Sequence, residues 1–371
     1  MSKSVGCAER IALSLRDLYD RYGYRQYKMS KFEEYDLYAR NKDFLISDNI
    51  ITFTDLSGKL MALKPDVTLS IVKNSMDAPG VRKLYYHENV YRVTKGDHGY
   101  REIMQVGLEA IGEVDDYTIS EVLLLAAKSL QTISGDAVLD ISHLGLLTEL
   151  MDAIGISSEN QATLVKLISE KNAHETAALC EDCGISRENI DLLRSLIALN
   201  GSPAKVLPQL EQLLSGKVKT ETLKQFKTVL SSLNDTGAEG LLRIDFSVVS
   251  DLHYYNGFVF KGFINGLPGS ILSGGQYDRL MYKMRRSDHS IGFAVYTDLL
   301  ERLEQPGEDY DVDVVLLYDD TAALMDIRTH ARLLSQQGRR VLVLRTMSQD
   351  IRCKKVLKLS GNEVTLLENN A

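Results

Sequence analysis

The sequence predicts an α+β fold with an antiparallel sheet as its core, a helical segment inserted into that core, and a small C-terminal α/β domain. Three observations support this prediction. The stretch 83–112 has the pattern of two strands joined by a polar loop. Between residues 143 and 240, leucine, isoleucine and alanine recur every three or four positions, which is typical of helices. A β-α-β pattern follows the linker 304–309.

The composition indicates a globular protein of about two or three domains. Of the 371 residues, 44% are hydrophobic and 25% are charged, and no apolar run approaches the ~18 residues that a membrane span needs. The net charge of −8 argues against a nucleic-acid-binding protein. Four cysteines without a disulfide framework, and an N-terminal amphipathic pattern unlike a signal peptide, predict a cytoplasmic protein without a metal site.

The individual elements follow from apolar periodicity and turn residues. Pro65 is well placed to begin a helix, and Asp115 or Asp116 to cap the next one. In chain order we expect a helix at 5–22, extended segments at 24–29 and 32–35, a hairpin at 50–63, a helix at 65–72, the hairpin 83–112, a helix at 118–130, a strand at 137–142, short helices over 143–240, strands at 243–246, 254–264 and 270–272, a helix at 276–284, a strand or helix start at 291–295, a helix at 297–303, a strand at 312–318, a helix at 321–337, and strands at 340–345 and 364–367.

The second strand of the hairpin carries polar groups on one face. Alternation places Met104, Val106, Leu108 and Ala110 on one side, and Gln105, Gly107 and Glu109 on the other. A buried carboxylate is costly unless a cation or several donors meet it, and the glycine leaves room for something to lie flat on the sheet. The alternative is a solvated face with chance polar residues, and the alternation does not choose between them.

Three further segments bring polar side chains to the ends of predicted elements. KPDVT at 64–68 places a carboxylate and a hydroxyl at a strand-to-helix junction, where they cap a helix or face a ligand. SDLHYYNGFVF at 250–260 has paired tyrosines at a strand entry. SGGQYD at 273–278 has two glycines before a predicted helix, where the backbone can approach an anion.

Together and in this order, these segments resemble the class II aminoacyl-tRNA synthetase fold and, within it, histidyl-tRNA synthetase and its paralogues. The resemblance runs over roughly residues 5–303, through ITFTDLSGKLMALKPDVT, YYHENVYRV, QVGLEAIG, DLHYYNGFVF, SGGQYD and IGFAVYTDLLERL. It implies a synthetase-like core at 1–142 and 241–303, a helical insertion at 143–240, and a truncated α/β domain like an anticodon-binding domain at 309–371.

The resemblance implies an amino-acid pocket that this chain keeps. The ammonium group of histidine would be met by Asp66, Thr68 and Glu109, and its imidazole would be read by Tyr255 and Tyr277. Gln105 would lie near the carboxylate of the ligand. No metal or cofactor is implied. The ligand-binding residues that the resemblance implies are Asp66, Thr68, Arg92, Gln105, Glu109, Tyr254, Tyr255 and Tyr277.

The same resemblance implies that catalytic cations are missing. The family has an arginine that acts on the activated carboxyl group where this chain has Ser250, and a phosphate-clamping arginine where it has Leu299. Thr94 stands where a glutamate is expected, and Arg302 lies almost one helical turn beyond Leu299. Because adenylate formation needs cations where charge develops on the phosphate, we predict no catalytic residue.

A kept ligand pocket and lost phosphate contacts resemble the regulatory subunits of ATP phosphoribosyltransferase, which are synthetase paralogues of the histidine pathway. This resemblance implies a non-catalytic, allosteric subunit in histidine biosynthesis that pairs with a short-form catalytic subunit and confers feedback inhibition by L-histidine. It also implies a cytoplasmic hetero-oligomer that contains a dimer of this chain, without membrane or tRNA binding. Whether histidine binds in the old pocket or at the subunit interface stays open.

Two other functions stay open, a divergent histidyl-tRNA synthetase and a stand-alone histidine-binding or scaffold protein. Ser250 and Leu299 argue against an active synthetase. A pull-down from the source cell would distinguish a stand-alone protein from a regulatory subunit. Two cationic residues also have structural interpretations. Lys64 stands where the family usually has arginine and could pair with a carboxylate, and Arg92 could serve the structure or neutralise Glu88 or Glu109.

Overall fold

The computed structural model of the chain describes residues 6–42, 45, 50–75, 79–93, 99–249, 254–300, 310–348 and 350–370. The chain divides into two compact units, Met1–Leu303 and Glu304–Ala371. The first unit contains a large sheet with the predicted helical segment, and the second contains a small α/β unit. The further division of the first unit into a core and an insertion stays a prediction.

A mainly antiparallel sheet organises the first unit. The hairpin strands pair over their full length, from Val81 opposite Gly112 to Val93 opposite Tyr100. Two pairings near the sheet edges are parallel, that of residues 25–26 with 84–85 and that of residues 139–141 with 242–244. Within the described ranges the strand order is β1 (Arg25–Gln26), β5 (Val81–Val93), β6 (Tyr100–Gly112), β12 (His289–Tyr296), β11 (Leu272–Gln276), β10 (Phe258–Ile264), β7 (Ala137–His143), β9 (Leu242–Asp245) and β8 (Asn200–Gly201).

The main hydrophobic core lies on one face of this sheet. Val106, Leu108 and Ala110 of β6 are fully buried there, as their alternation predicts. Helices α1 (Cys7–Arg21) and α4 (Asp116–Ile133) lie against the sheet. The α4 helix is capped by the Asp115 side chain, which accepts a 2.9 Å hydrogen bond from the Thr118 backbone N–H. The cap confirms the first of the two aspartates considered.

The predicted helical segment forms six helices that share the core of the sheet. They contribute buried residues such as Leu147, Leu164, Leu193 and Phe226 to the same hydrophobic cluster as β6. The N-terminus of the first helix is capped by buried His143, whose Nδ1 accepts from the Leu146 N–H at 3.2 Å. The helices are α5 (Leu144–Ala153), α6 (Ser158–Ser169), α7 (Ala173–Asp182), α8 (Arg187–Ala198), α9 (Pro203–Leu214) and α10 (Thr220–Ser231).

A second, three-stranded sheet leads into the segment KPDVT. Its strand order is β2 (Phe32–Glu34), β4 (Leu60–Leu63) and β3 (Thr52–Thr54), with the short helix α2 (Tyr35–Ala39) after β2. The hairpin predicted at 50–63 is therefore confirmed, and its turn lies at Leu56–Lys59. The next helix, α3 (Thr68–Asn74), begins three residues after Pro65, because Asp66 Oδ1 accepts from the Leu69 N–H at 2.9 Å.

The two cationic residues next to this sheet have structural contacts. Lys64 is fully buried, and its Nζ lies 2.9 Å from Glu88 Oε2, which confirms the expected pairing with a carboxylate. Arg92 Nε donates to the Pro65 carbonyl oxygen at 3.2 Å. The expectation that Arg92 neutralises Glu88 or Glu109 is wrong, because Lys64 pairs with Glu88 and hydroxyl groups bind Glu109.

Three predicted boundaries near the end of the first unit are wrong. Strand β10 begins at Phe258, and not at residue 254. The glycine pair of SGGQYD lies inside β11, and the helix α11 (Asp278–Lys283) has six residues. Glycine is needed in that strand because a Cβ at Gly274 would lie 2.4 Å from the Phe293 Cβ. Residues 298 and 299 form a turn and Leu300 has a 3-10 helical conformation, so the helix predicted from residue 297 does not begin there. Residues 301–303 lie outside the described residues.

The second unit is a four-stranded sheet with one helix in its described part. The strand order is β14 (Val341–Leu344), β13 (Val312–Tyr318), β15 (Cys353–Ser360) and β16 (Glu363–Asn369), and the helix is α12 (Leu324–Gln336). The predicted β-α-β unit is confirmed. Strand β15 was missed because lysines interrupt its apolar pattern. No helix in the ranges that the structure describes is long and apolar enough to cross a membrane.

The buried ion pair of Lys64 gives a stability prediction. Lys64→Met leaves the Glu88 side chain, which is 17% exposed, without its cation. We expect the free energy of unfolding to fall by about 3 kcal/mol, measured by urea denaturation. The control is Lys59→Met, whose ion pair with Glu34 is about half exposed on both sides. The control should match the wild type, and equal stability of both variants would contradict this account.

Candidate functional site

A cavity of about 420 Å³ lies on the face of the large sheet opposite the main core. It draws its walls from β6, α3, the tyrosine segment before β10 and the residue before α11. All eight residues that the resemblance implied as ligand-binding line this one cavity: Asp66, Thr68, Arg92, Gln105, Glu109, Tyr254, Tyr255 and Tyr277. The structure therefore brings together positions that are far apart in the chain, and ligand binding by them stays a prediction.

Strand register builds the floor of the cavity from small residues. One row across the sheet runs from Tyr86 through Gly107, Ala294 and Ser273 to Lys261, each opposite the next on adjacent strands. Directly paired residues on neighbouring strands point to the same face. The middle of the row therefore carries only short side chains, whereas Tyr86 and Lys261 at its ends carry long ones.

Two glycines of the floor are covered by side chains of the protein itself. A Cβ at Gly107 would lie 2.4 Å from the Tyr86 hydroxyl oxygen, and a Cβ at Gly292 would lie 1.8 Å from Glu109 Oε2. The expectation that Gly107 leaves room for a ligand is wrong, because Tyr86 occupies that space. In the same way, the Glu109 carboxyl group occupies the space that a side chain at position 292 would fill.

The Glu109 carboxyl group is the centre of the cavity wall. Its side chain is buried, and it accepts hydrogen bonds from the hydroxyls of Thr68 (2.8 Å) and Tyr277 (2.6 Å). Burial raises the pKa of Glu109 to about 8, although the two hydroxyl donors oppose this shift. Glu109 is therefore mostly protonated at pH 7. Burial also raises the pKa of Asp66, while backbone donors and Arg92 lower it.

Three tyrosines form an aromatic wall beside Glu109. The ring centroids of Tyr254 and Tyr255 are 4.5 Å apart, and those of Tyr254 and Tyr277 are 6.0 Å apart. Burial raises the pKa of all three phenols well above their usual value. Their hydroxyls therefore stay protonated and can donate to a ligand.

The aromatic wall is held by a polar cluster that sequence analysis missed. Asn256 Nδ2 donates to Asp278 Oδ2 at 3.1 Å, and the Asp278 N–H donates back to Asn256 Oδ1 at 2.8 Å. Asp278 also accepts from the Ser290 N–H at 2.8 Å and lies 2.9 Å from His289 Nδ1. These contacts join the segment after Tyr255 to the residue after Tyr277. The signal was present, since Asn256 follows the tyrosine pair and Asp278 ends SGGQYD.

Two cationic side chains line the cavity within the described residues. Arg92 Nε donates to the Pro65 carbonyl oxygen, and the positive charge of Arg92 lowers the pKa of the Tyr296 hydroxyl against the larger effect of burial. Lys261 on β10 has neither an ion pair nor a hydrogen bond from its side chain to other residues that the structure describes, and burial lowers its pKa. Sequence analysis missed Lys261, which the strand pattern showed as a single lysine after apolar residues.

The positions that decided the prediction of lost catalysis are only partly described. Ser250, Thr94 and Arg302 lie outside the described residues. Leu299 is half-buried and packs against the main hydrophobic core. A phosphate-binding side chain at position 299 would therefore have to leave the core.

Comparisons with known proteins show the same family throughout. A family model described as histidyl-tRNA synthetase matches residues 3–300. The ATP phosphoribosyltransferase regulatory subunit of Caldanaerobacter subterraneus subsp. tengcongensis is 30% identical over 293 residues, which cover 76% of this chain and 74% of that protein.

Two solved structures share the fold. One, from Bacillus halodurans, is described as an ATP phosphoribosyltransferase regulatory subunit/histidyl-tRNA synthetase. It has a TM-score of 0.78 and 24% identity, with coverage of 96% of this chain and 94% of that one. The other is a chain of the ATP phosphoribosyl transferase (HisG:HisZ) complex from Thermotoga maritima, with a TM-score of 0.62, 18% identity, and coverage of 77% and 96%. The predicted class II synthetase-like fold is therefore confirmed.

The raised pKa of Glu109 gives a pH-dependent prediction. The unfolded chain releases this proton near its ordinary pKa of 4.5, whereas the folded chain keeps it up to about pH 8. The protonated Glu109 carboxyl group therefore stabilises the folded chain fully below about pH 4.5. This contribution to the free energy of unfolding falls as the pH rises to about 8. Relative to Glu109→Gln, the wild type should lose up to about 1.4 kcal/mol of unfolding free energy per pH unit. Urea titrations of both proteins from about pH 5 to about pH 8 measure this difference, and parallel pH profiles would contradict it.

Proposed function

This chain belongs to the histidyl-tRNA synthetase family, and we propose that it serves as the non-catalytic regulatory subunit of an ATP phosphoribosyltransferase in histidine biosynthesis. One observation carries the proposal. The residues implied for reading an amino acid line one cavity, whereas Leu299 packs in the core where the family has a phosphate-clamping arginine. The curated relative with 30% identity bears the name of this subunit.

The effector that fits the cavity best is L-histidine. Glu109 accepts from both Thr68 and Tyr277, so it lies between the residues proposed for the ammonium group and those proposed for the imidazole. A ligand N–H or cationic nitrogen would give this carboxyl group another donor, which matters because buried polar groups are costly when unsatisfied. The aromatic wall of Tyr254 and Tyr255 offers rings for packing against an imidazole.

The absence of catalysis rests on the cations near the ligand. Arg92 Nε already donates to the Pro65 carbonyl oxygen, so part of its guanidinium is engaged by the protein itself. Removing one preorganised donor from a transition state costs about 3–4 kcal/mol, and the sequence departs from the family at two such positions. These departures support a subunit that binds the amino acid without activating it. A divergent histidyl-tRNA synthetase is the alternative.

The proposed partner is a short-form catalytic subunit of ATP phosphoribosyltransferase. The Thermotoga maritima complex supports such pairing, because one of its chains shares this fold. In the proposed assembly, a hetero-oligomer in the cytoplasm contains a dimer of this chain, and histidine binding lowers the activity of the catalytic subunit. The coupling between the two sites would be of order 1–3 kcal/mol, and tRNA has no role.

Pyrophosphate exchange separates the regulatory subunit from an active synthetase. The purified full chain, with ATP, Mg²⁺ and L-histidine, should show no histidine-dependent exchange of labelled pyrophosphate into ATP, because Ser250 and Leu299 replace the family's carboxyl-binding and phosphate-clamping arginines. An active histidyl-tRNA synthetase serves as the positive control. Robust exchange by this chain would overturn the proposal in favour of the synthetase.

Reconstitution with a short-form catalytic subunit tests the role directly. We expect phosphoribosyl transfer to depend on this chain and to be inhibited by L-histidine. Glu109→Gln should weaken that inhibition about tenfold or more in histidine concentration, since it removes the carboxylate that meets the ligand. A catalytic subunit that is equally active and equally inhibited without this chain would refute the proposal. Unchanged inhibition with Glu109→Gln would place the effector outside the cavity.

A further inference from the structure

Lys261 is a cation that the described part of the protein leaves without a counter-ion inside the cavity. It is half-buried on β10, and no carboxylate or hydrogen-bond acceptor that the structure describes lies in contact with its ammonium group. Its cross-strand neighbour Asp140 lies near Arg243 instead, at 3.6 Å. Desolvating an ammonium group without a partner is costly, so the residue is explained best by a partner that arrives from outside.

The register places Lys261 at the end of the cavity opposite the acids. Lys261 lies three strands from Glu109, across β11 and β12, which is about 14 Å at the usual strand spacing. The Lys261 side chain stands roughly perpendicular to the sheet, whereas the Glu109 carboxyl group lies over Gly292 of β12. About two strand spacings, roughly 10 Å, therefore separate the two groups, and an amino acid with one contact at each end can span that gap. Asp66 and Glu109 stand at one end of the cavity and a cation at the other.

We propose that the Lys261 ammonium group binds the carboxylate of the amino acid in this cavity, at the end opposite Asp66 and Glu109. This inference rests on the proposed function, and it moves the carboxylate contact away from Gln105. Gln105 lies opposite Tyr296 on β12, two residues along the strands from the pair Gly107 and Ala294 in the row of Lys261.

The neighbours of Lys261 fit a carboxylate better than a phosphate. Ser273 is its direct cross-strand partner, so a hydroxyl lies within reach of the same anion. Ser273 and Tyr255 both line the cavity, so this end of the cavity adjoins the aromatic wall. One ammonium and one hydroxyl match the two oxygens of a carboxylate, whereas a phosphate carries more charge and a third oxygen to satisfy.

Calorimetric titration of the full chain with two ligands tests the proposal. The ligands are L-histidine and histamine, which differ by the carboxylate. Lys261→Met should weaken L-histidine binding 10- to 100-fold, or about 1.4–2.8 kcal/mol, and leave histamine binding unchanged. Lys261→Arg should restore most of the loss. The matched control is Lys128→Met on α4, which changes a half-buried lysine away from the cavity and should bind both ligands as the wild type does.

Thermal unfolding and a third ligand complete the test. The empty Lys261→Met protein should melt no lower than the wild type, because methionine removes a desolvated charge at similar length. Equal L-histidine affinity in both proteins would overturn this inference alone, and so would equal losses for L-histidine and histamine. Loss of pyrophosphate binding with intact L-histidine binding would identify a phosphate contact and overturn it as well. A wild type that binds no histidine would refute the proposed effector site itself.

Discussion

The carboxyl group of Glu109 is buried where three separate parts of the first unit meet, and the placement of each depends on satisfying it. Thr68 reaches it from the start of α3 and Tyr277 from the residue before α11, while Gly292 of β12 leaves the space that it fills. A buried polar group without partners costs about 1–3 kcal/mol, so these contacts hold the cavity wall in one arrangement. The same carboxyl group remains open to a ligand, which connects the stability of the site to its occupancy.

Strand alternation separates the two tasks of the sheet. Val106 and Leu108 build the core with α1 and α4, whereas Gln105 and Glu109 on the opposite face of β6 line the cavity. A shift of one residue in the pairing of β6 would exchange these faces, so the core also fixes which side chains a ligand meets. The cavity is elongated, with small residues in the middle of its floor. The carboxyl groups of Asp66 and Glu109 lie at one end, and the ammonium group of Lys261 lies at the other. That polarity suits a zwitterion more than an apolar ligand.

The sequence predicted what depends on local pattern. Alternation along β6 placed Glu109 away from the core, and the family resemblance gave eight of the residues that line the cavity. Sequence patterns did not reveal Lys261 as a cavity residue. Its position across the cavity from Glu109 depends on the order of β10, β11 and β12 in the sheet. Such pairing brings together distant parts of the chain and leaves no local periodicity. The glycine pair in β11 was misplaced for a similar reason, since close packing between strands and a turn both favour glycine.

The central claim is that this synthetase-like cavity holds an amino acid in contact with Glu109 and has lost the means to activate it. A crystal structure of the full chain grown with L-histidine, ATP and Mg²⁺ would test it most directly. The account predicts histidine in the cavity, with a ring nitrogen or the ammonium group within hydrogen-bond distance of Glu109, and no adenylate. Histidine bound elsewhere with this cavity empty, or histidyl-adenylate in the cavity, would contradict it.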